Sequence, residues 1–147
     1  MSWLARAMKK QADPKIWLEL ASWLAFTFKL PVSSPLWVPI PSRTPNHALG
    51  LAKALAQVMG GDMVDSLGVL RRASVHQKLL NRQDRHKITF EFLGDSCSDF
   101  RGVVIVDDIV TTGATVAAAY RALGRPGNCE AWCLIDRRPC GVGSPLL

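Results

Sequence analysis

Hydrophobic and polar residues follow two patterns along this chain, and together they predict alternating strands and helices. Val103 to Val106 is a run of four aliphatic residues without alternation, which is typical of a strand buried on both faces of a parallel sheet. Leu36 to Pro41 predicts another strand that runs into a constrained turn, because Pro39 and Pro41 lack amide donors. Further strands are predicted over 63–70, 88–92 and 130–135.

Amphipathic segments predict the helices. Asp13 and Pro14 form a start signal, with Asp13 as the N-cap, and Pro31 should stop this helix. Its apolar stripe is predicted to comprise Ile16, Trp17, Leu20, Trp23, Leu24 and Phe28. The stripe either packs on the sheet or, because of its aromatic residues, forms a partner-binding or dimer face. Other helices are predicted over about 47–59 and from residue 114 onwards.

The alternation of these elements favours an α/β fold, a single domain with a mainly parallel β-sheet flanked by helices. With 147 residues the chain is large enough for one domain with a substantial core. We expect three parts, namely an N-terminal helical segment over 1–35 packed on the core, the core itself over 36–140, and a flexible tail over 141–147.

The candidate chemistry lies in segment 103–115. Asp107 and Asp108 follow the aliphatic run, and a turn rich in Thr and Gly over 111–115 leads into a helix. Ligands of open α/β sheets bind at the carboxyl ends of the strands, and a helix N-terminus presents free N–H groups to a phosphate. We therefore expect a ligand with a phosphate at one end and hydroxyls or a metal ion beside the carboxylates. A sugar phosphate fits this description.

Other interpretations of this segment are weaker. A buried strand with incidental Asp and Thr at its end would leave two adjacent charges near a core without a packing role. No Gly-x4-Gly-Lys-Ser/Thr sequence occurs, which rules out a Walker A loop. A phosphatase of the haloacid dehalogenase type would need Asp-x-Asp, whereas the two acids here are adjacent.

Charge and cysteine content give modest information about partners and metal sites. The net charge of +6 favours anionic ligands or nucleic acid as partners. The stretch Arg71 to Lys87 has six basic residues against one acid, and it is either a solvated face or a nucleic-acid contact. None of the four cysteines forms a Cys-x2-Cys pair, so a zinc ribbon is disfavoured. The apolar run Ile16 to Leu30 contains two charges and is too short to span a bilayer, so we expect no membrane span and a cytoplasmic location.

Segment 103–115 resembles, at all thirteen positions, the signature of the type I phosphoribosyltransferases that binds 5-phosphoribosyl 1-pyrophosphate (PRPP). The resemblance implies that the 5-phosphate is held by Thr111, Thr112, Gly113, Ala114 and Thr115. It implies that Asp107 and Asp108 contact the ribose hydroxyls, directly or around Mg²⁺, and that Arg43 assists the pyrophosphate. Successive strand residues point to opposite faces, so both acids can serve one ribose only if the chain turns at Asp108.

The basic stretch lies where this family has a mobile loop that closes over the active site. Closure would exclude water from the reaction. The candidate loop residues are Arg72, Gln77, Lys78, Arg82 and Arg85.

Beyond the signature, the layout resembles the ComF-like branch, which is associated with DNA uptake in competent bacteria. The segments that carry this resemblance are Val38-Pro39-Ile40-Pro41, Arg43-Thr44-Pro45-Asn46-His47, and Gln77, Leu80 and Arg85. Members of that branch usually begin with a cysteine-rich zinc module, whereas no cysteine precedes Cys97 here. Val75 also stands where that branch often has Lys, and Ile88 stands where it often has Asn.

These resemblances imply a Mg²⁺-dependent phosphoribosyltransferase, a pentosyl glycosyltransferase of nucleotide metabolism. It would transfer phosphoribose from PRPP to a nitrogenous base or amine and release pyrophosphate. Two alternatives stay open: a non-catalytic PRPP-binding or DNA-uptake protein, and nucleic-acid binding through Arg71 to Lys87. A homodimer, nucleic acid and the competence machinery are the partners to be considered.

Overall fold

The computed structural model describes residues 13–30, 33–41, 47–64, 71–72, 90–91 and 102–138. Their helices and strands follow one another in the predicted alternation. The elements are α1 (Pro14–Thr27), β1 (Leu36–Pro39), α2 (His47–Met59), β2 (Asp62–Met63), β3 (Arg71–Arg72), β4 (Phe90–Glu91), β5 (Val103–Val110), α3 (Ala114–Ala122) and β6 (Cys129–Asp136).

The main sheet has four parallel strands in the order β2–β1–β5–β6. β1 pairs with β5 as far as Pro39 beside Val106, and β5 pairs with β6 as far as Val110 beside Asp136. From β1 the chain proceeds outwards to β2, and from β5 it proceeds in the other direction to β6. The topological switch point therefore lies between the carboxyl ends of β1 and β5, where ligands of such sheets bind.

Alternate residues of β5 pack into two apolar clusters on opposite faces of the sheet. Val103 and Ile105 pack on the face covered by α3, together with residues such as Val116 and Leu123. Val104 and Val106 pack on the face covered by α1 and α2, whose contributions to this cluster include Trp17, Ala21, Leu24, Leu51, Ala52 and Leu55. Burial on both faces explains the aliphatic run, and it confirms the predicted mainly parallel α/β fold.

Helix α1 begins where it was predicted to begin and ends earlier than predicted. The side chain of Asp13 accepts a hydrogen bond from the Lys15 amide at 3.1 Å, as an N-cap does. The helix ends at Thr27, and Phe28 is already extended. Pro31 is therefore not the residue that ends the helix. No helix in the described ranges is long and apolar enough to cross a membrane.

The predicted apolar stripe of α1 is wrong at two positions. Trp23 and Phe28 are 60% and 51% exposed, while the small side chain of Ala21 is fully buried. The reason is the close approach of α1 to α2, where a Cβ atom added to Gly50 would lie 2.7 Å from Nε1 of Trp17. Two helices at this separation bury a narrow stripe, so Trp23 stays in solvent, whereas Phe28 lies beyond the end of the helix.

Helix α2 matches the prediction, and two glycines follow it. The helix covers His47 to Met59, and Gly60 and Gly61 have φ angles of 80° and 99°. Such left-handed angles favour glycine and end helices. At Gly61 an added Cβ would also collide with the carbonyl oxygen of Pro35, the residue before β1.

The strands between α2 and β5 differ from the prediction. The second strand was expected over 63–70, but β2 comprises Asp62 and Met63, and residues 65–70 lie outside the described ranges. Arg72 was expected in a loop, but it lies in β3 and pairs antiparallel with Phe90 of β4 in a separate two-stranded sheet. Phe90 is buried in the α3-side cluster, so β4 packs on that side of the core. The division at residue 35 stays a prediction, and the tail 141–147 lies outside the described residues.

Candidate functional site

The two carboxylates lie within β5, whereas the sequence pattern predicted that the strand would end at them. β5 continues through Asp107 and Asp108 to Val110. β1 follows it only to Val106, whose carbonyl accepts a hydrogen bond from the Ile40 amide at 2.8 Å. β6 remains paired with β5 beyond that point. In the described part of the chain, the acids thus occupy a section of β5 that has a strand partner on one side only.

The carboxylates bind backbone amides of this section. The Asp108 amide donates to Oδ1 of Asp107 at 2.9 Å, and the Ile109 amide donates to Oδ1 of Asp108 at 2.8 Å. The side-chain oxygens thus accept from backbone amides that would otherwise need backbone carbonyls of a longer β1 as partners. They also hold each carboxylate against its own strand.

Side-chain alternation along β5 is lost between the acids and the end of the strand. Val103 and Ile105 share the α3-side cluster, and strict alternation would place Val110 on the other face. Val110 packs in that same α3-side cluster. The chain therefore departs from regular alternation between Asp107 and Val110. Both adjacent carboxylates need such a departure in order to face one ligand.

Asp107 is a buried carboxyl group with a raised pKa. Its residue is 8% exposed, and the pKa rises from the ordinary 3.8 to about 7. Loss of hydration on burial is the main cause. The Asp108 carboxylate adds repulsion, while the amides of Asp108 and Ile109 act in the opposite direction. A cation or hydroxyl donors bound here would favour the ionised form and lower this pKa.

The turn after β5 has the geometry of an anion site. Thr111 and Thr112 are exposed, and Gly113 has a φ of 78°, which glycine adopts without strain. The Ala114 amide donates to Oγ1 of Thr112 at 3.3 Å, and the first bond within the helix joins the Ala117 amide to the Gly113 carbonyl at 2.9 Å. Amides before that bond point out of the N-terminus of α3, at the positive end of its dipole.

The end of β6 borders this turn. The Arg137 amide donates to the Val110 carbonyl at 2.7 Å. Next to it, Nη2 of Arg138 lies 2.7 Å from Oδ2 of Asp136, and hydrogen bonding from Arg138 lowers the pKa of that carboxyl. This pair was not predicted from the sequence. A signal for it was present in the sequence. The apolar part of β6 ends just before Asp136, and the carboxyl ends of parallel strands lie at the same edge of a sheet, so Asp136 and Arg138 could have been placed near the end of β5.

Cys133 is the neighbour of Asp107 in the ladder between β5 and β6. Burial raises the pKa of its thiol, and the carboxylates of Asp136 and Asp107 raise it further. The thiol is therefore neutral at physiological pH and supplies no positive charge to Asp107. Cys133 is partly buried within β6.

The structure brings one group of the predicted site residues together at the switch point. This group comprises Asp107, Asp108, Thr111, Thr112, Gly113, Ala114 and Thr115. The backbone of Arg72 lies in β3 of the separate two-stranded sheet, and its role at the site stays a prediction. Arg43, Gln77, Lys78, Arg82 and Arg85 lie outside the described residues.

The acids suit a magnesium ion that is shared with a phosphorylated ligand. Among the described residues, no group of three or more His, Cys, Asp or Glu side chains could hold a metal on its own. Mg²⁺ commonly takes one or two carboxylates and completes its shell with water and substrate phosphates. The oxygen donors of Asp107 and Asp108 fit this incomplete kind of site.

Comparison with protein families agrees with the fold and the site. Residues 38–141 match the phosphoribosyl transferase domain. This match covers more than half of the chain and includes the end of β1, all of β5, the turn and α3. The chain therefore belongs to the phosphoribosyltransferase domain family.

Individual relatives show the same relationship. The chain is 37% identical over 112 residues to the bifunctional protein PyrR of Akkermansia muciniphila. This alignment covers 67% of this chain and 63% of PyrR. Hypoxanthine phosphoribosyltransferase of Staphylococcus aureus, in its tetragonal crystal form, superposes with a TM-score of 0.53 at 20% identity. That superposition covers 85% of this chain and 65% of the enzyme. At this identity it shows a shared fold, and the chain spans less than two thirds of either relative.

Asp107→Asn should stabilise the folded protein most at alkaline pH. The folded state keeps the Asp107 proton up to about pH 7, whereas the unfolded chain releases it near 3.8. The folded state thus binds more protons across this window, and its stability falls as the pH rises. The difference between the two pKa values corresponds to on the order of 4 kcal/mol of unfolding free energy, lost between low pH and alkaline pH. An amide still accepts from the Asp108 amide, so we expect a gain of about 2 kcal/mol in urea unfolding at about pH 8 and a smaller gain at about pH 5.

Asp136→Asn is the matched control. The pKa of this exposed carboxyl is lowered, so its stabilising effect exists above the unfolded value and is lost as the pH falls. Its removal should bring no gain at alkaline pH. A gain from Asp107→Asn that is independent of pH, or a loss near pH 8, would contradict the burial of an ionisable Asp107.

Proposed function

We propose that this chain is a Mg²⁺-dependent phosphoribosyltransferase that binds PRPP and releases pyrophosphate. The observation that carries the proposal is the position of two carboxylates and a helix N-terminus on either side of one short turn, at the switch point of the sheet. A ligand with hydroxyls at one end and a phosphate at the other matches both sets of groups. Membership of the phosphoribosyltransferase family supports the same ligand.

The 5-phosphate is bound by the turn 111–115 in this proposal. The backbone amides ahead of Ala117 and the hydroxyls of Thr111, Thr112 and Thr115 are the donors. Gly113 permits the turn and a close approach of the phosphate to the backbone. The side chain of Ala114 has no part in binding. Its amide would exchange the 3.3 Å bond to Oγ1 of Thr112 for one to the phosphate.

Asp107 and Asp108 contact the 2- and 3-hydroxyls of the ribose, directly or through the metal. Bound Mg²⁺ would neutralise charge on the pyrophosphate. Arg43, four residues after Pro39 at the end of β1, is proposed to assist it. The hydroxyl donors and the cation would also provide Asp107 with the positive potential that its buried carboxylate lacks in the free protein.

The reaction exchanges one bond at the anomeric carbon for another. The carbon–oxygen bond to pyrophosphate breaks, and its electron pair leaves with pyrophosphate. The lone pair of the acceptor nitrogen forms the new carbon–nitrogen bond, and a proton leaves that nitrogen. Correct placement of the two reactants alone lowers such a barrier by several kcal/mol, up to about 10. Nucleobases, among them the hypoxanthine named in the structural relatives, are the first acceptors to test.

The finer assignments rest on the sequence resemblance. A ComF-like branch with a link to competence, a cytoplasmic location, and nucleic-acid contact through Arg71 to Lys87 stay predictions. Nucleic-acid binding of that kind should weaken steeply with salt. A PRPP-binding protein without turnover is the alternative function, and it requires the same pocket. Pyrophosphate release across a panel of bases distinguishes it from the enzyme.

Calorimetric titration with PRPP and Mg²⁺ tests the pocket. Wild type should bind with a micromolar Kd, about −8 kcal/mol. Asp107→Ala/Asp108→Ala should lose this binding, because it removes all the carboxylate oxygens that face the ribose. Asp62→Ala is the control, since Asp62 is exposed at the opposite edge of the same sheet, and it should bind like wild type.

Three outcomes of this titration lead to different conclusions. Binding lost in the double variant, together with pyrophosphate release in wild type, supports the enzyme. Binding without release from any base supports the non-catalytic alternative. Absence of binding in folded wild type would contradict a PRPP site of either kind.

Two glycines with the same backbone angle isolate the role of the turn. Gly113 and Gly124 precede and follow the same helix, and both have a φ of 78°. Substitution by Ala imposes the same left-handed strain at each position, about 1–2 kcal/mol. Gly113→Ala should weaken PRPP binding at least tenfold, whereas Gly124→Ala should lower the unfolding free energy with unchanged affinity. Equal affinities for PRPP in the two variants would contradict phosphate binding at the turn.

A further inference from the structure

The side chain of His47, the first residue of α2, is held in place by an aromatic contact. Its imidazole packs on the ring of Trp17 in α1, with a centroid distance of 5.7 Å and an interplanar angle of 49°. Trp17 is only 7% exposed, and a Cβ atom added to Gly50 would lie 2.7 Å from its Nε1 atom. The absence of a side chain at Gly50 therefore lets Trp17 approach the first turn of α2 and support the imidazole.

The imidazole lies at the same edge of the sheet as the carboxylates. Helix α2 connects the parallel strands β1 and β2, which are in register from Leu36 beside Asp62. A helix that connects two parallel strands returns the chain from their carboxyl ends to their amino ends. The first residue of α2 is therefore at the carboxyl edge, where Asp107 and Asp108 lie.

Within that edge, the imidazole is directed towards β5. Helix α2 packs against β2, β1 and β5. Helix α1 lies beside it on the β6 side, because Trp132 and Leu134 of β6 pack against the cluster that the two helices share, and Phe28 contacts Trp132. The contact with Trp17 turns His47 towards α1, and thus from β1 towards β5.

The chemistry at this end of α2 suits an anion. Within the described ranges the imidazole makes no hydrogen bond, and His47 is partly exposed. An imidazole carries at least one N–H donor whether it is neutral or charged. The first turn of α2 contains no acidic residue, and the helix dipole is positive there.

We propose that His47 binds the pyrophosphate group of PRPP and donates a hydrogen bond to it as it leaves, an inference that rests on the proposed function. Helices α3 and α2 cover opposite faces of the sheet. Their N-termini reach the same edge with the two carboxylates of β5 between them. A ligand with a phosphate at one end, a ribose in the middle and pyrophosphate at the other end matches this order.

The proposed role of His47 is greatest when the bond to pyrophosphate breaks. The electron pair of the carbon–oxygen bond leaves with pyrophosphate, so negative charge grows on the departing oxygen. A donor that is already held in place stabilises this charge without reorganisation. The hydrogen bond to His47 should therefore support both the binding of PRPP and the departure of pyrophosphate.

A purely structural role is the competing explanation, in which His47 serves only as a flat ring that packs on Trp17. The two roles need different parts of the side chain. Packing needs a ring, whereas pyrophosphate binding needs an N–H group. Phenylalanine keeps the ring without a donor, and glutamine keeps a donor without the ring.

Calorimetric titration with PRPP and with pyrophosphate, each together with Mg²⁺, tests the proposal. His47→Phe should weaken the binding of both ligands about tenfold, because a hydrogen bond to a charged group is lost. His47→Gln should restore both affinities to within about threefold of wild type. Gly113→Ala should weaken PRPP and leave pyrophosphate unchanged, because the turn binds the 5-phosphate. Lys53→Gln is the control, since it removes an exposed positive charge from the middle of α2, and it should bind like wild type.

The possible results separate this proposal from the proposed function. If wild type binds PRPP and His47→Phe binds both ligands equally well, the role of His47 is overturned and the enzyme stands. The same holds if His47→Phe loses affinity and His47→Gln does not regain it, or if wild type binds PRPP but no pyrophosphate. Absence of PRPP binding in folded wild type overturns both proposals. Urea unfolding should show that His47→Phe is as stable as wild type, so that lost affinity does not reflect lost folding.

Discussion

The site depends on a difference between the two strands beside β5, because β1 pairs with it over a shorter length than β6 does. β1 leaves β5 after Val106, while β6 continues beside it to Val110. The backbone amides that follow Val106 are therefore available to Asp107 and Asp108, and the strand can depart from regular alternation there. β6 holds the far end through the bond from the Arg137 amide to the Val110 carbonyl, so the turn 111–115 starts from a fixed point. Carboxylates and helix N-terminus reach one edge of the sheet for this reason.

The same arrangement is unfavourable to the stability of the free protein. Burial next to apolar strands raises the pKa of Asp107 to about 7, so its ionised form is costly without a counter-charge. Cys133, its neighbour in β6, is neutral and cannot provide one. A ligand that brings a cation and hydroxyl donors would remove this cost on binding. A destabilised group that a ligand stabilises is typical of functional sites.

Local sequence signals predicted the parts of the structure that depend on local chemistry. Helix α2, the turn at Gly113 and the aliphatic part of β5 follow from periodicity and from glycine, and they were predicted correctly. The continuation of β5 to Val110 and the place of Asp136 beside the turn depend on the register with β6, which no local pattern encodes. The exposure of Trp23 depends on how closely α1 approaches Gly50 of α2, and a periodic stripe does not indicate that separation.

Amide chemical shifts during addition of PRPP and Mg²⁺ test whether the carboxylates and the helix N-terminus bind one ligand. In ¹⁵N–¹H correlation spectra, we expect the largest changes at the amides of 107–108 and 111–115, with those around Trp23 unchanged. This result would show that the carboxylates and the helix N-terminus bind one ligand together. Shifts that leave 111–115 unaffected, or the absence of any shifts in a folded protein, would contradict the claim that this edge of the sheet is a phosphoribosyl site.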